Sequence, residues 1–309
     1  MSETRTVTTA GAKPRALRDV KRRLTSRWAT LAAIIIAIVW TLPTFGVLIS
    51  SFRPQNEIQT SGWWTAFQNW GWTLENYSEA LSTSISGFNM AQGFVNSLAI
   101  TIPAAIIPLI IATLAAYAFA WMDFPGKNLL FVFVFALQIV PIQMAFIPLL
   151  QLFSRGEVFG FPVIQAFGAA GYAQVWIAHT IFALPLAIFL LHNFIAQIPR
   201  DVIEAARVDG ASHGQIFFRI VLPLSMPAIA SFAIFQFLWV WNDLLVALIF
   251  ADGAVAPVTK LLAQMVGERG GDWHLLTAGA FIAIAVPLLV FLLLQRFFVR
   301  GLLAGAAKG

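Results

Sequence analysis

The sequence predicts an all-α membrane protein, a polytopic helical bundle with six transmembrane helices. Hydrophobic residues make up 59% of its 309 residues and charged residues only 11%, with a mean hydropathy of +0.81. In soluble domains about a quarter of the residues are charged, so this composition does not fit a water-soluble globule. Six apolar stretches are each long enough to cross a hydrocarbon core of about 30 Å. Because these runs are continuous rather than alternating, we expect helices and not membrane-spanning strands.

The composition also excludes several functional classes. Disordered chains have low hydrophobicity and high charge, which is the opposite of what is found here. The net charge of +5 is mildly basic, but the charged residues are too few for a nucleic-acid-binding surface, so no nucleic acid is expected as a partner. The absence of cysteine removes disulfide scaffolds, thiolate metal sites and cysteine nucleophiles. The lipid bilayer is therefore the first partner that the sequence predicts.

The chain divides into membrane spans and the segments that connect them. The first predicted transmembrane helix covers 28–50, and it is expected to remain uncleaved because no small-residue cleavage site follows it. An extracytoplasmic loop, 51–92, comes next. The far end of the fifth span is interrupted by Asn242 and Asp243. The five later spans are predicted at 93–122, 128–153, 172–196, 220–250 and 275–299.

Lysine and arginine residues predict the orientation in the membrane. Eight of them lie in the basic N-terminus, 1–27, which places this end in the cytoplasm. With six spans, 15 Lys and Arg residues fall on the cytoplasmic side and four fall outside. The C-terminal tail, 300–309, is then cytoplasmic as well. The asymmetry predicts an N-in, C-in, multi-pass protein of the inner or plasma membrane.

Nine of the fifteen prolines lie inside the predicted spans. Each removes a backbone hydrogen bond and kinks its helix, and the freed carbonyl oxygen must find a donor on a neighbouring helix or in a wet cavity. Such kinks are common in membrane helices, and they are also typical of a bundle that rearranges around a translocation path. The prolines alone do not separate these two interpretations. They are Pro43, Pro103, Pro108, Pro141, Pro148, Pro185, Pro223, Pro227 and Pro287.

One cytoplasmic connection, 197–223, carries strong helix signals. Asp201 is expected to cap a short helix over 202–209, with Glu204 reaching back as in a capping box. Gly210 follows where a left-handed C-cap is expected. A helix of eight residues is marginal in water, so it must dock on something. The loop is either a capped surface connection or a rigid lever embedded in another protein.

A second helix signal follows in the same loop. Ser212, with Gln215 three residues later, has the spacing of another capping box. The helix that it opens is expected to enter the membrane and run to Pro223. The sequence therefore predicts a helix, a turn and a second helix at the cytoplasmic face.

The loop also carries a spaced motif, EAA-x3-G-x9-I-x-L-P, without a gap. This motif resembles the EAA loop of the permease subunits of bacterial ABC importers. Flanking segments, among them Asn-Ser-Leu at 96–98 and Trp-Asn-Asp at 241–243, are similar to the carbohydrate-uptake branch and its smaller, six-span partner of the maltose-type pair. The match covers about 51–309. The residues that the resemblance assigns to coupling with an ATPase are Glu204, Ala205, Ala206, Asp209, Gly210, Ile220, Leu222 and Pro223.

The resemblance implies a type I ABC importer permease fold, with the core over 93–299, and it implies a mechanism. Such a permease pairs with a second homologous permease, and two cytoplasmic ATPase subunits grip the EAA helices. ATP and magnesium belong to those subunits, so this chain is expected to bind no cofactor and to carry no catalytic residue. It also lacks a P-loop. An extracytoplasmic binding protein delivers the sugar, expected to be an oligosaccharide or glycoside.

Asp243 raises an alternative function. It is the only acidic residue assigned to a span, and an intramembrane carboxylate is a candidate functional group. Proton or sodium coupling would make the protein an ion-coupled secondary transporter. Against this, Asp243 lies at the outer end of its span beside Asn242, and no basic partner is expected at that depth. A gate or structural hydrogen-bonding role is therefore expected for Asn242 and Asp243.

Three remaining signals are weaker. The segment 210–214 matches the G-x-S-x-G nucleophile elbow, but a helix rather than a strand precedes it, so Ser212 is interpreted as a helix cap and not as a nucleophile. His179 and His192 lack metal-site spacing, so no metal is expected, and hydrogen-bonded bundle histidines are favoured. Aromatic residues of the outer loop can stack on a sugar, dock a binding protein or anchor at the interface, and anchoring is favoured. These are Trp63, Trp64, Trp70 and Trp72.

Overall fold

A computed structural model describes residues 27–68, 71–82, 88–163, 166, 168, 170–265 and 272–306, with side chains as far as 293. The basic N-terminus lies outside this range except for its last residue, and so does the end of the C-terminal tail. One two-residue hairpin, β1 (Glu157–Val158) antiparallel to β2 (Phe161–Pro162), interrupts a set of helices. These are α1 (Arg27–Ser51), α2 (Gln55–Thr60), α3 (Glu75–Ser82), α4 (Met90–Trp121), α5 (Lys127–Ala136), α6 (Ile142–Arg155), α7 (Tyr172–Ile195), α8 (Arg200–Val208), α9 (His213–Ile216), α10 (Leu222–Trp241), α11 (Leu245–Phe250), α12 (Val258–Met265) and α13 (Trp273–Ala306).

The predicted all-α membrane bundle is confirmed. Within the described residues, five helical segments are long and apolar enough to cross a membrane: α1, α4, α7, α9 with α10, and α13. The bent pair α5 and α6 makes a sixth if it is counted as one span. Six spans are therefore compatible with the structure, and the N-in, C-in orientation stays a prediction.

The third span, predicted over 128–153 with kinks at its prolines, is broken at Pro141 rather than only kinked there. The axes of α5 and α6 meet at 103°. Between them Leu137–Ile139 forms a 3₁₀ turn, and Val140 is extended with ψ of 120°. Proline disfavours a helical conformation in the residue before it and has no N–H to continue the helix, so Pro141 ends α5 and precedes α6. Pro148, in contrast, lies within α6.

The fifth span also differs from its prediction. It ends at Trp241 rather than continuing to 250, and the separate helix α11 follows. Its beginning is continuous through Pro223, where a helix end was expected. Pro223 lies in the first turn of α10, directly after a π-helical turn at Phe217–Val221.

Neighbouring helices satisfy three of the carbonyl oxygens that prolines free. Pro103, Pro108 and Pro287 lie inside helices, and each removes the bond to the carbonyl four residues earlier. All three carbonyl oxygens accept a side-chain hydrogen bond from another helix, as the sequence led us to expect. Trp176 Nε1 donates to Ala99 at 3.0 Å, Gln236 Nε2 to Ala104 at 3.2 Å and Trp241 Nε1 to Ala283 at 3.0 Å.

Among the described residues, the most extensive packing between two helices is that of α4 against α7. Their facing residues are small, which lets two membrane helices approach each other closely. The fully buried alanines at and around this interface are Ala104, Ala112 and Ala116 on α4, and Ala178, Ala183 and Ala187 on α7. One apolar cluster extends from this pair to α8, α9 and the start of α10. The 197–223 loop is therefore packed on the same core as the spans.

Candidate functional site

The 197–223 loop contains the helix that the sequence predicts, but the helix begins differently. α8 begins at Arg200, directly after Pro199, whose side chain makes no capping hydrogen bond. The predicted capping box of Asp201 with Glu204 is therefore wrong. Because proline already holds the backbone at φ −56°, the helix begins two residues early. Asp201 then lies in the first turn, where its negative charge interacts favourably with the positive end of the helix dipole.

The end of α8 follows the prediction for Gly210. This glycine has φ of +79°, in the left-handed region. Its N–H donates to the carbonyl oxygen of Arg207 at 3.0 Å, and the N–H of Ala211 donates to that of Ala206 at 2.9 Å. These two bonds form a Schellman motif. No atom lies within 4 Å of the place where a Cβ would be, so the backbone conformation and not the space requires glycine.

The second predicted cap is confirmed at Ser212. The Ser212 hydroxyl accepts from the N–H of Gln215 at 3.4 Å, and the Gln215 side chain accepts from the N–H of Ser212 at 2.8 Å. Ser212 follows a helix and its turn, not a strand. The nucleophile-elbow interpretation therefore has no structural support.

Opposite faces of α8 have different neighbours. Ile203 is 1% exposed and packs with Ile216 into the apolar cluster, and Ala206 lies against the same cluster. The other face, defined by Asp201, Glu204, Ala205 and Val208, is exposed. We call these four residues the exposed face of α8. Ala205 is exposed while Ala206 lies against the cluster, because neighbouring helix positions differ by about 100°.

Arg207 hydrogen-bonds the bundle, although its side chain is largely exposed. Its Nη2 donates to the carbonyl oxygen of Trp121, the last residue of α4, at 2.9 Å. The indole of Trp121 donates in turn to the carbonyl oxygen of Ile195, at the end of α7, at 3.2 Å. Arg207 and Trp121 therefore connect α8 to the ends of α4 and α7. No pattern in the sequence indicates this pairing.

A second connection joins the loop to α4. The Tyr117 hydroxyl lies 3.0 Å from Nδ1 of His213 and 3.3 Å from its carbonyl oxygen. The Tyr117 ring also contacts that of Phe217, with centroids 5.3 Å apart. Because His213 begins α9, this contact ties the second helix of the loop to α4 as well.

The remaining motif residues lie where the loop enters α10. Asp209 is exposed at the C-cap of α8. Ile220 and Leu222 are partly buried and pack against the same apolar cluster as Ile203, and Pro223 is exposed. The motif therefore consists of an exposed part on α8 and an anchoring part at the start of α10.

Asn242 and Asp243 lie between α10 and α11. The Asp243 carboxylate accepts from the N–H groups of Val246 at 2.9 Å and Ala247 at 3.2 Å, which satisfies amides at the start of α11. The Asn242 side chain donates back to the carbonyl oxygen of Leu238 at 2.7 Å. Nε2 of His179 lies 3.9 Å from Asp243 Oδ2, a proximity that the sequence did not indicate. The other ring nitrogen of His179, Nδ1, has no hydrogen-bond partner among the described residues.

The predicted outer loop, 51–92, is folded around a buried arginine. Arg53 is 2% exposed, and its guanidinium donates to the Glu57 carbonyl at 3.2 Å and to the Ser61 hydroxyl at 2.6 Å. Trp63 packs against Phe45 of α1, with ring centroids 5.9 Å apart. Trp64 and Trp72 are exposed, and Trp70 lies outside the described residues.

A buried lysine holds the segment between α11 and α12. Lys260 is 6% exposed, and its Nζ donates to the Ala251 carbonyl at 3.1 Å and to Oδ1 of Asp252 at 3.0 Å. This hydrogen bond from Lys260 holds the pKa of Asp252 below its ordinary value. In the part of the chain that the structure describes, no three His, Asp or Glu side chains lie together as metal ligands would.

Comparison with known protein families identifies the class of protein that has this fold and this loop. Residues 108–304 match the family described as the inner membrane component of binding-protein-dependent transport systems. The chain belongs to this family, and it is a multi-pass protein of the inner membrane.

Relatives over nearly the whole chain agree with this assignment. The osmoprotective compounds uptake permease protein GgtD of Synechocystis is 52% identical, and the match covers 93% of this chain and 95% of GgtD. The alpha-glucoside transport system permease protein AglG of Rhizobium meliloti is 39% identical, covering 93% and 99%.

A solved structure shows the same fold. A chain of a bacterial ABC transporter involved in the import of the polysaccharide alginate matches with a TM-score of 0.67 at 15% identity, covering 94% of this chain and all of that one. The fold is that of an ABC importer permease. The alternative of an ion-coupled secondary transporter is therefore wrong, and Asp243 needs no role in ion coupling.

Proposed function

We propose that this chain is the permease subunit of an ATP-driven importer that moves a neutral sugar or glycoside across the membrane. An extracytoplasmic binding protein delivers the sugar. A second, homologous permease completes the path, and two ATPase subunits hold ATP and magnesium and dock on the 197–223 loop. The chain itself hydrolyses nothing.

The exposed face of α8 is the observation that carries this proposal. A nine-residue helix is too short to be stable alone, yet α8 is held by Ile203, by its Schellman end and by Arg207. Its outer residues, Glu204 and Ala205 among them, remain free of the bundle. A helix that is fixed on one side and exposed on the other transmits a push from a docked protein to the helices behind it.

The names of the relatives and the charge pattern both support this substrate class. One relative is named for alpha-glucosides and the other for osmoprotective compounds. Within the described residues, the long apolar helices carry few ionisable groups, so a charged substrate would meet little opposite charge along them. A neutral, hydroxyl-rich molecule fits this arrangement better.

Reconstitution tests the proposal. The cognate binding protein is first screened by thermal shift against neutral mono- and oligosaccharides and glycosides. The complete complex is then placed in liposomes, and uptake of the stabilising sugar is measured with internal ATP, without ATP, and with a proton or sodium gradient alone. We expect uptake that requires both ATP and the binding protein. Uptake driven by an ion gradient without ATP would refute the proposal.

A further inference from the structure

The break between α5 and α6 lies halfway along the bundle. On one side of the break, the rings of Phe135 and Phe189 are 4.6 Å apart, and on the other side those of Phe146 and Phe182 are 5.9 Å apart. Phe182 and Phe189 lie on either side of the centre of α7, which runs from Tyr172 to Ile195. The break therefore lies at mid-membrane depth and not near a headgroup layer.

The residues at this break are not covered by any other part of the chain that the structure describes. Residues 136–141 are all exposed, and Ile139 is 80% exposed. The end of one helix and the start of another leave carbonyl and amide groups without intrahelical partners. At membrane depth, non-helical backbone occurs only where protein buries it or where it lines a water-filled cavity. Lipid therefore does not cover this segment.

The side chains at the break favour water over a protein cover. Gln138 and Gln143 are both exposed there. A glutamine amide both donates and accepts hydrogen bonds. Burying the amide in an apolar contact without those bonds costs free energy. From 128 to 154 the sequence has no Asp, Glu, Lys, Arg or His, so the segment offers hydrogen bonds without charge.

We propose that this break lines the translocation path and that Gln138 and Gln143 hydrogen-bond the hydroxyl groups of the passing sugar. The inference rests on the proposed function. A sugar hydroxyl both donates and accepts, as an amide does, and the neighbouring Ile139 and Met144 offer apolar surface to its C–H faces. Discontinuous helices at the membrane midplane are a common way to build a substrate site in transporters.

The absence of cysteine from the chain gives a direct test. Gln138→Cys and Gln143→Cys are made one at a time in the complete transporter, and the rate of modification by a charged, membrane-impermeant methanethiosulfonate is measured. Matched controls are Val132→Cys and Ile147→Cys, which are 61% and 66% exposed on the flanking helices. We expect the two glutamine positions to react at least about tenfold faster than the controls, and the sugar to slow them.

Rates equal to those of the controls would overturn the proposal, because the break would then be covered. Fast labelling that the transported sugar does not slow would overturn the binding role. As a second measurement, Gln138→Leu/Gln143→Leu should lower sugar uptake by about thirtyfold, since each of the two lost hydrogen bonds weakens binding by about 1 kcal/mol. ATPase stimulation by the loaded binding protein should stay within about twofold. If the proposed function itself fails, the unmodified transporter shows no ATP-dependent uptake, so the two failures are distinguishable.

Discussion

Nη2 of Arg207 donates a hydrogen bond of 2.9 Å to the carbonyl oxygen of Trp121, a residue 86 positions earlier in the chain. Trp121 is the last residue of α4, and its carbonyl has no N–H of the same helix to accept from. A guanidinium therefore caps a membrane helix from the surface loop. Movement of α8 must either carry α4 with it or break this bond.

This contact predicts that Arg207→Ala uncouples the ATPase from transport. Charge-assisted hydrogen bonds are stronger than neutral ones, and coupling energies of 1–3 kcal/mol are typical. We expect the stimulation of ATPase activity by the loaded binding protein to fall by about fivefold or more in reconstituted complexes. The control is Arg200→Ala on the same helix, because Arg200 is exposed like Arg207 but does not hold the Trp121 carbonyl. Equal stimulation in the Arg207 and Arg200 variants would contradict the prediction.

A second prediction concerns Gly210. Its φ of +79° is unfavourable for any side chain and most unfavourable for a β-branched one. Gly210→Val should therefore disturb the end of α8 at a cost of about 1–2 kcal/mol, leave the subunit inserted and abolish sugar-stimulated ATPase activity. Gly214→Val is the matched control, because Gly214 is helical and also has open space around its Cα. Normal stimulation in Gly210→Val would show that the geometry of this turn is not needed for coupling.

The carbonyl oxygens that prolines leave without a backbone donor allow a double-mutant test of stability. Trp241→Phe removes the indole donor to the Ala283 carbonyl and should lower the free energy of unfolding in detergent. In a Pro287→Ala background, the new amide at position 287 can donate to the same carbonyl. The cost of Trp241→Phe should therefore be smaller there by about 1 kcal/mol. The same cost in both backgrounds would mean that packing, and not the hydrogen bond, accounts for the role of Trp241.

A pH dependence is expected from Asp252. Its pKa in the folded protein is lower than the ordinary value of 3.8, because Lys260 donates a hydrogen bond to the charged carboxylate. The stabilisation is therefore fully present above pH 3.8 and is lost as the pH falls through the lower, folded-state pKa. Asp252→Asn should be less stable than the unmodified protein from pH 5 to pH 7, and the difference in unfolding midpoint should shrink toward pH 3. Since Asp252 is mostly exposed, the effect should be small. A difference that does not change with pH would exclude the ionic contribution.

Local signals in the sequence predicted local structure well. Gly210 and the Ser212 cap depend on a few neighbouring residues, and both occur as expected. The predicted Asp201 cap does not occur, because the helix already begins at Arg200, directly after Pro199. The continuous apolar run 128–153 concealed the break at Pro141, because hydropathy does not distinguish a proline that ends a helix from one, such as Pro148, that remains inside it.

Long-range pairings were not predictable in the same way. The prolines indicated that carbonyl oxygens would need donors, but only packing decides that Trp176 and Gln236 supply them. The hydrogen bond from Arg207 to Trp121 has the same origin, because helical periodicity identifies a face of a helix and not the partner of that face. His179 near Asp243 is a further example, since 64 residues separate them in the chain and only the fold brings them together.

The π-helical turn at Phe217–Val221 has a consequence for the length of the chain. Such a turn contains one residue more than an α-helical turn, and each residue of an α-helix changes direction by about 100°. Because the π-helical turn uses its extra residue to complete one rotation, losing one residue here would convert it to an α-helical turn and keep α9 and α10 in nearly the same rotational register. The loop would then stay oriented on α10 as it is. At this turn the chain can therefore tolerate a change in length that it could not tolerate within a regular α-helix.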